Sequence, residues 1–195
     1  MTVSPHIVLA SGSRYRRELL QRLGIPFETL SPEVDETRQA GESAQVLVQR
    51  LSAAKAFAGG RRHNTAWVIG SDQVAVIDDE ILGKPGSHAR AKSQLRRLSG
   101  ERVTFLTGLC LLDAASGNMQ SDVIPFHVVF RKLDDDQIER YLRYEQPYDC
   151  AGSFRSEGRG IALFARMEGD DPTALIGLPL IRLTEMLTKA GVILP

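Results

Sequence analysis

The stretch that most constrains the fold is Trp67-Val-Ile-Gly-Ser-Asp-Gln-Val-Ala-Val-Ile77. Its two flanks are apolar and largely β-branched, the composition of a buried strand. Between them stand a carboxylate, Asp72, and a carboxamide, Gln73. A charge buried inside such a run is costly unless it meets a partner or a metal. The expectation is that the strand breaks at Gly70-Ser71-Asp72-Gln73. That would put both polar side chains at a strand end, where α/β sheets bind ligands. Two readings of Asp72 follow: it performs chemistry while Gln73 contacts a substrate, or it caps a turn.

A chain of 195 residues buries a substantial core as one domain spanning 1–195, in which two lobes can share a cleft. Its 24 basic and 24 acidic residues cancel, so no global field attracts nucleic acid or an anionic membrane. No aromatic-basic stripe suggests nucleic-acid binding either. Phosphate chemistry would therefore depend on locally placed Lys and Arg. Cys110 and Cys150 have neither CxxC spacing nor the density of a disulfide framework. Met1 to Ala10 lacks the basic start of a signal peptide, and no segment approaches the roughly 18 apolar residues of a membrane span. The expectation is a soluble, cytoplasmic protein.

A short strand over 6–10 leads through Ser11-Gly12-Ser13 into a helix over 14–23, capped by Ser13 and closed by Gly24. Backbone N–H groups, hydroxyls and arginines at such a turn suit a phosphate. Arg14, Arg16 and Arg17 read equally as a solvated helix face, and Arg17 is left there. After a strand over 27–30, Glu33, Asp35 and Glu36 form either a solvated loop or a site for a hard cation. A second helix over 43–58 carries Val46, Leu47, Leu51, Ala54 and Phe57 on its apolar side, Lys55 beside them and Gly59-Gly60 as a stop. Asp78-Asp79 marks a hairpin tip. Gly83-Lys84-Pro85 is no P-loop, although Lys84 can act as a point charge on a phosphate. A third helix over 87–98, an antiparallel pair over 102–112 and 123–131, and a helix over 134–144 follow. Residues 148–160 read as a flexible polar loop around Glu157, before a strand over 161–164 and a last helix ending near 190. This order indicates an α/β fold with a mixed, partly antiparallel sheet.

With these segments placed, the chain resembles the Maf family of nucleotide pyrophosphatases over nearly its whole length. The resemblance rests on Leu9-Ala-Ser-Gly-Ser-Arg-Tyr-Arg-Arg-Glu-Leu-Leu20, Pro32-Glu-Val-Asp-Glu36, Gly70-Ser-Asp-Gln73, Gly83-Lys-Pro85, Ala151-Gly-Ser-Phe154 and Ile176-Gly-Leu-Pro179. It implies an elongated, two-lobed fold with a central cleft, a divalent metal (Mg²⁺ or Mn²⁺), a homodimer, and hydrolysis of nucleoside triphosphates to monophosphate and pyrophosphate. The family pattern has proline where this chain has Arg14.

Tyr15, Gln73 and Glu157 stand where the branch acting on dTTP and UTP has Arg, Thr and Gln, and together they resemble the 7-methyl-GTP branch. That branch commonly has tryptophan at the Tyr15 position. Methylation at guanine N7 makes the base cationic, which favours an aromatic face, and a carboxylate accepts from the guanine N1–H and N2–H₂ edge. The roles implied are Asp72 as general base and metal ligand, Glu33 as metal ligand, and Ser11, Arg16, Lys55 and Lys84 as phosphate contacts. Asp35 is a weaker metal candidate that shapes its loop. The other readings are a pyrophosphatase for ITP or XTP, or for UTP or dTTP, or a nucleotide-sensing regulator of septum formation.

Overall fold

In the computed structural model, which describes residues 5–194, the chain runs β1 (Ile7–Ala10), α1 (Arg14–Gln21), β2 (Glu28–Leu30), α2 (Ala44–Gly60), β3 (Trp67–Ile77), β4 (Glu80–Leu82), α3 (His88–Leu98), β5 (Arg102–Asp113), β6 (Met119–Phe130), α4 (Asp135–Glu145), β7 (Phe164–Glu168), α5 (Pro172–Ile176) and α6 (Leu180–Lys189). The strands form one seven-stranded mixed sheet in the order β2-β1-β3-β5-β6-β7, with β4 paired to the far part of β3. β1 lies parallel to β2 and β3, and the remaining pairs are antiparallel. The leader reading rests partly on residues 1–4, which lie outside those described. Among the described residues no helix is long and apolar enough to cross a membrane.

The expected break in β3 is absent. The strand is continuous for 11 residues, and Asp72 and Gln73 pair with Gly108 and Thr107 of β5 in mid-sheet. Gly70 serves packing instead of turning. A Cβ there would lie 2.1 Å from the Ser52 carbonyl oxygen, and one at Gly108 would lie 2.2 Å from the Val48 carbonyl oxygen. The two glycines let the backbone of α2 settle directly onto β3 and β5. We expect Gly70→Ala to lower stability by at least about 1–3 kcal/mol, because its Cβ meets backbone that cannot swing away. An unchanged urea midpoint would show that this close approach is not required.

The phase of α2 also differs from the apolar stripe read in the sequence. Its buried face holds Leu47, Val48, Leu51, Ser52, Lys55, Ala56, Gly59 and Gly60, whereas Val46 and Phe57 are exposed. Small side chains face the sheet where the approach is close, so apolarity alone placed Leu47 and Leu51 correctly but misplaced Val46 and Phe57. Gly59 and Gly60 lie within the last turn and are not a stop; a Cβ at Gly59 would sit 2.7 Å from Val68. This rotation carries Lys55 inward, beneath the cleft.

Other elements follow their local signals. Ser13 caps α1 by accepting from Arg16 N–H, and Asp134 begins α4 in a reciprocal capping box with Gln137. Asp78 and Asp79 both have positive φ, as a tight hairpin turn demands. One apolar cluster packs α3 and α4 against β5 and β6, and another packs α1 and α6 against β1, β3 and β5. Residues 161–163, expected as strand, form a 3₁₀ turn that ends at Leu163, and β7 starts at Phe164. The short helix α5 was not anticipated: only five residues separate its N-cap Asp171 from its closing glycine, Gly177 at φ 115°.

Candidate active site

The C-terminal ends of β1 and β2, the middle of β3, and the loops after β4 and α4 enclose a cleft of about 770 Å³. Ser11, Tyr15, Arg16, Lys55, Gln73, Lys84 and Glu157 all line it, so seven of the nine expected positions come together. Asp72 lies just behind the wall and Glu33 lies elsewhere.

Lys55 organises the floor. Its Nζ is 2.6 Å from Asp72 Oδ1 and 2.7 Å from Glu36 Oε1, and the side chain is only 8 % exposed. It therefore covers Asp72 from the cleft. The ammonium stands between two carboxylates, so loss of one still leaves it a charged partner, whereas loss of Lys55 leaves the buried Asp72 carboxylate without its cation. The hydrogen bond from Lys55 holds the Glu36 carboxyl below its ordinary pKa, helped by Lys84 and Arg16.

Glu36, not singled out in the sequence, is thus the carboxylate of this loop that reaches Lys55 and lines the cleft. The Asp35 carboxylate accepts from Thr37 N–H at 2.9 Å and turns the loop, which directs Glu36 to Lys55. Glu33 lies instead beside Ala58, Arg61 and Arg62 in a separate small pocket. No periodicity exists in an irregular loop to distinguish one carboxylate from the next. Asp35 shapes the loop, as its alternative reading held.

The turn before α1 is prepared for an anion. Ser11 Oγ accepts from Ser13 N–H at 3.2 Å and from Arg16 NH1 at 3.4 Å, which leaves its own O–H to donate. The Arg16 Nε donates to the Gly177 carbonyl at 2.7 Å, and Ser71 Oγ donates to that same carbonyl at 2.9 Å. Arg16 is thereby fixed by the α5–α6 connection. Burial lowers its pKa, with Asp72 and Glu36 acting in the opposite sense. The N-terminus of α1 borders the same end of the cleft, which Ser13 and Arg14 line.

At the other end, Gln73 is oriented by α5. Its Nε2 donates to Thr107 Oγ1 (2.9 Å), Ala174 O (2.7 Å) and Leu175 O (3.1 Å). The reversed amide would set its oxygen against two carbonyls, so chemistry fixes the assignment and leaves Oε1 as the free end. Two guanidiniums accompany Tyr15: Arg14 at 4.7 Å and Arg155 at 5.1 Å from the ring centroid. Arg155 also pairs with Glu145 at 3.0 Å and lies 3.5 Å from Glu157 Oε1, while its Nε is buried without a hydrogen bond. Burial raises the Tyr15 pKa, so the ring is neutral near pH 7. Cys150 also lines the cleft, but burial pushes its thiol up to about 12, which makes it a poor nucleophile.

The Glu157 segment is anchored and not the free loop expected. Phe154 packs edge-on against Phe105, Phe130 and Phe164 at 5.3, 5.6 and 4.8 Å. Gly152, at φ 74°, lets the chain turn above the Phe105 ring. This anchor explains the Ala151-Gly-Ser-Phe154 sequence.

The fold and cleft define an α/β protein with a cationic, hydroxyl-lined end and an acceptor-lined end in one cavity. Comparison with known proteins gives the family: the profile described as "Maf-like protein" matches residues 6–190, and this chain belongs to the Maf family. It is 57 % identical over 191 residues to a protein of Pseudomonas aeruginosa named 7-methyl-GTP pyrophosphatase, covering 98 % of this chain and 100 % of that one. Proteins of the same name from Nitrosococcus oceani (57 % over 187 residues, 96 % and 94 % covered) and Thiobacillus denitrificans (56 % over 189 residues, 97 % and 94 % covered) are similarly close.

Proposed function

We propose that this protein hydrolyses 7-methyl-GTP to 7-methyl-GMP and pyrophosphate in the cytoplasm, limiting incorporation of the modified nucleotide into nucleic acid. The observation that carries this reading is the polarity of the cleft. Ser11, Arg16, Lys55 and Lys84 offer hydroxyl and cationic contacts to a polyphosphate, while Tyr15, Gln73 and Glu157 offer an aromatic face and acceptors to a base. Gln73 Oε1 and the Glu157 carboxylate match the donor edge of guanine and oppose the acceptors of a pyrimidine. The names of the full-length relatives agree with it.

Water attacks the α-phosphorus and the bond from that phosphorus to the bridging oxygen breaks, releasing pyrophosphate. Asp72 receives the proton of the attacking water through Oδ2, which has no hydrogen-bond partner among the described residues. The polyphosphate draws the Lys55 ammonium from Asp72 and Glu36, so one movement opens the base and places a cation on the anionic substrate. Asp72 and Glu36 already converge on a single cationic point, and their hard oxygen donors suit Mg²⁺ or Mn²⁺ once Lys55 has turned. A bound divalent cation would neutralise phosphate charge.

Nucleotide turnover with separate readout of pyrophosphate and orthophosphate tests the reaction. Equimolar pyrophosphate and 7-methyl-GMP is the expected result, abolished by a chelator and restored by Mg²⁺ or Mn²⁺. Orthophosphate as first product, or binding without turnover as a septum regulator would show, contradicts it. ITP or XTP as the preferred substrate would move the site to the other purine reading.

The flat guanidinium of Arg155, between Tyr15 and Glu157, occupies the position proposed for the cationic base. Arg155→Lys retains a charge for Glu145 and removes the stacked plane. Its KM for 7-methyl-GTP is expected to fall about two- to fivefold, the value of a cation–π contact of ~0.5–1 kcal/mol. A raised KM in steady-state assays would show that Arg155 supports the base site. We further propose a homodimer, a reading supported by Val46 and Phe57, two large apolar side chains exposed on the outer side of α2. Sedimentation equilibrium of the wild type and Phe57→Lys tests it.

A further inference from the structure

At the end of the sheet opposite the cleft, three side chains with metal-ligating atoms meet. His6 immediately precedes β1, Glu28 opens β2, and His63 lies in the turn between α2 and β3. Their ligand atoms all lie within 4.8 Å of one another, and His6 Nε2 is 3.1 Å from Glu28 Oε1. We propose that His6, Glu28 and His63 form a second metal site, separate from catalysis, for a borderline divalent cation such as Zn²⁺.

The donor set is the first argument. Two imidazoles and one carboxylate suit Zn²⁺, whereas Mg²⁺ favours oxygen donors alone. Geometry is the second. Donors about 2.0–2.1 Å from a tetrahedral ion stand roughly 3.3 Å apart, and the His6–Glu28 separation already meets that spacing. The His6 and His63 rings approach edge to face, with centroids 5.5 Å apart, so His63 completes the set by a modest side-chain movement.

The backbone holds the three positions in register. His6 O accepts from Trp67 N–H at 2.8 Å, His63 N–H donates to Gly59 O at 3.0 Å, and Ala66 N–H donates to His63 O at 3.1 Å. β1 pairs with β2 beside Glu28. Metal would therefore cross-link β1, β2 and the end of α2, all of which support the cleft. From His6 to Ser11 the chain runs the length of β1, about 16 Å at strand rise, so the ion would stabilise without reaching substrate.

Isothermal titration of the full chain with Zn²⁺ tests the site, alongside His6→Ala, His63→Ala and Glu28→Gln. The expected result is one saturable site per chain that weakens at least about tenfold in each variant, with a zinc-dependent rise in Tm lost in parallel. Turnover in Mg²⁺ should be unchanged in all three. Equal zinc affinity in the wild type and the histidine variants, or no saturable binding, would overturn the proposal. Asp72→Asn controls for zinc in the cleft: the distal site survives that change, and its loss there would also overturn the assignment.

Discussion

Asp72→Asn lowers kcat for 7-methyl-GTP by about 10²–10⁴, the range for loss of a positioned general base, while the variant remains folded. The substitution keeps size and strand geometry but removes the acceptor for the water proton. It also removes one of the two carboxylates that hold Lys55, so a modest loss of Tm accompanies it. Structural damage would lower kcat in proportion to the unfolded fraction, whereas loss of the base lowers it in fully folded enzyme. Single-turnover measurements below the Tm separate the two. Near wild-type turnover would exclude Asp72 as base and direct attention to Glu36, the other carboxylate bound to Lys55.

The second large effect concerns the base. Replacing Tyr15 by Arg, Gln73 by Thr and Glu157 by Gln together removes the aromatic face and the acceptors, and supplies donors suited to a pyrimidine. A charge-assisted hydrogen bond contributes about 1.5–3 kcal/mol, so kcat/KM for 7-methyl-GTP should drop about 10- to 150-fold. UTP and dTTP should gain relative to it. Glu157→Gln alone should account for much of the loss, because it replaces an acceptor with an amide that also donates. Equal loss for every nucleotide would show that these residues hold the cleft together without reading the base. Thr107 Oγ1 and the Ala174 carbonyl, which position the Gln73 amide, keep their mutual hydrogen bond in the triple variant but lose that amide as a donor. Gln73→Thr is therefore measured alone as well.

Much of this arrangement was legible in the chain because local chemistry enforces it. Ser13 had to cap α1, two consecutive aspartates marked the β3–β4 turn, and a carboxylate inside Trp67–Ile77 required a partner. The partner itself was obscured by helix phase. Lys55 belongs to the buried face of α2, whose later part is hidden in sequence because Ser52, Ala56, Gly59 and Gly60 are small, as close approach to the sheet at Gly70 and Gly108 demands. That Glu36 and not Glu33 faces the cleft was not legible because their loop has no period, and the Asp35 turn sets which carboxylate reaches inward. The direction of the Gln73 amide depends on carbonyls of α5, some 100 residues away, in an element too short to leave a helical pattern. Long-range packing, absent from any local window, set each of these outcomes.

The most direct measurement compares 7-methyl-GTP with GTP in the wild-type enzyme. The two substrates share their polyphosphate, ribose and acceptor groups other than N7, and differ in one methyl group and the positive charge it brings. Stacking on Tyr15 and attraction to Glu157 act on that charge, and a cation–π contact of up to about 2 kcal/mol corresponds to a preference of roughly 10- to 30-fold. A kcat/KM ratio of at least about tenfold in favour of 7-methyl-GTP, collapsing in Tyr15→Leu, is the predicted result. A ratio near one, or unchanged selectivity in Tyr15→Leu, would contradict the account.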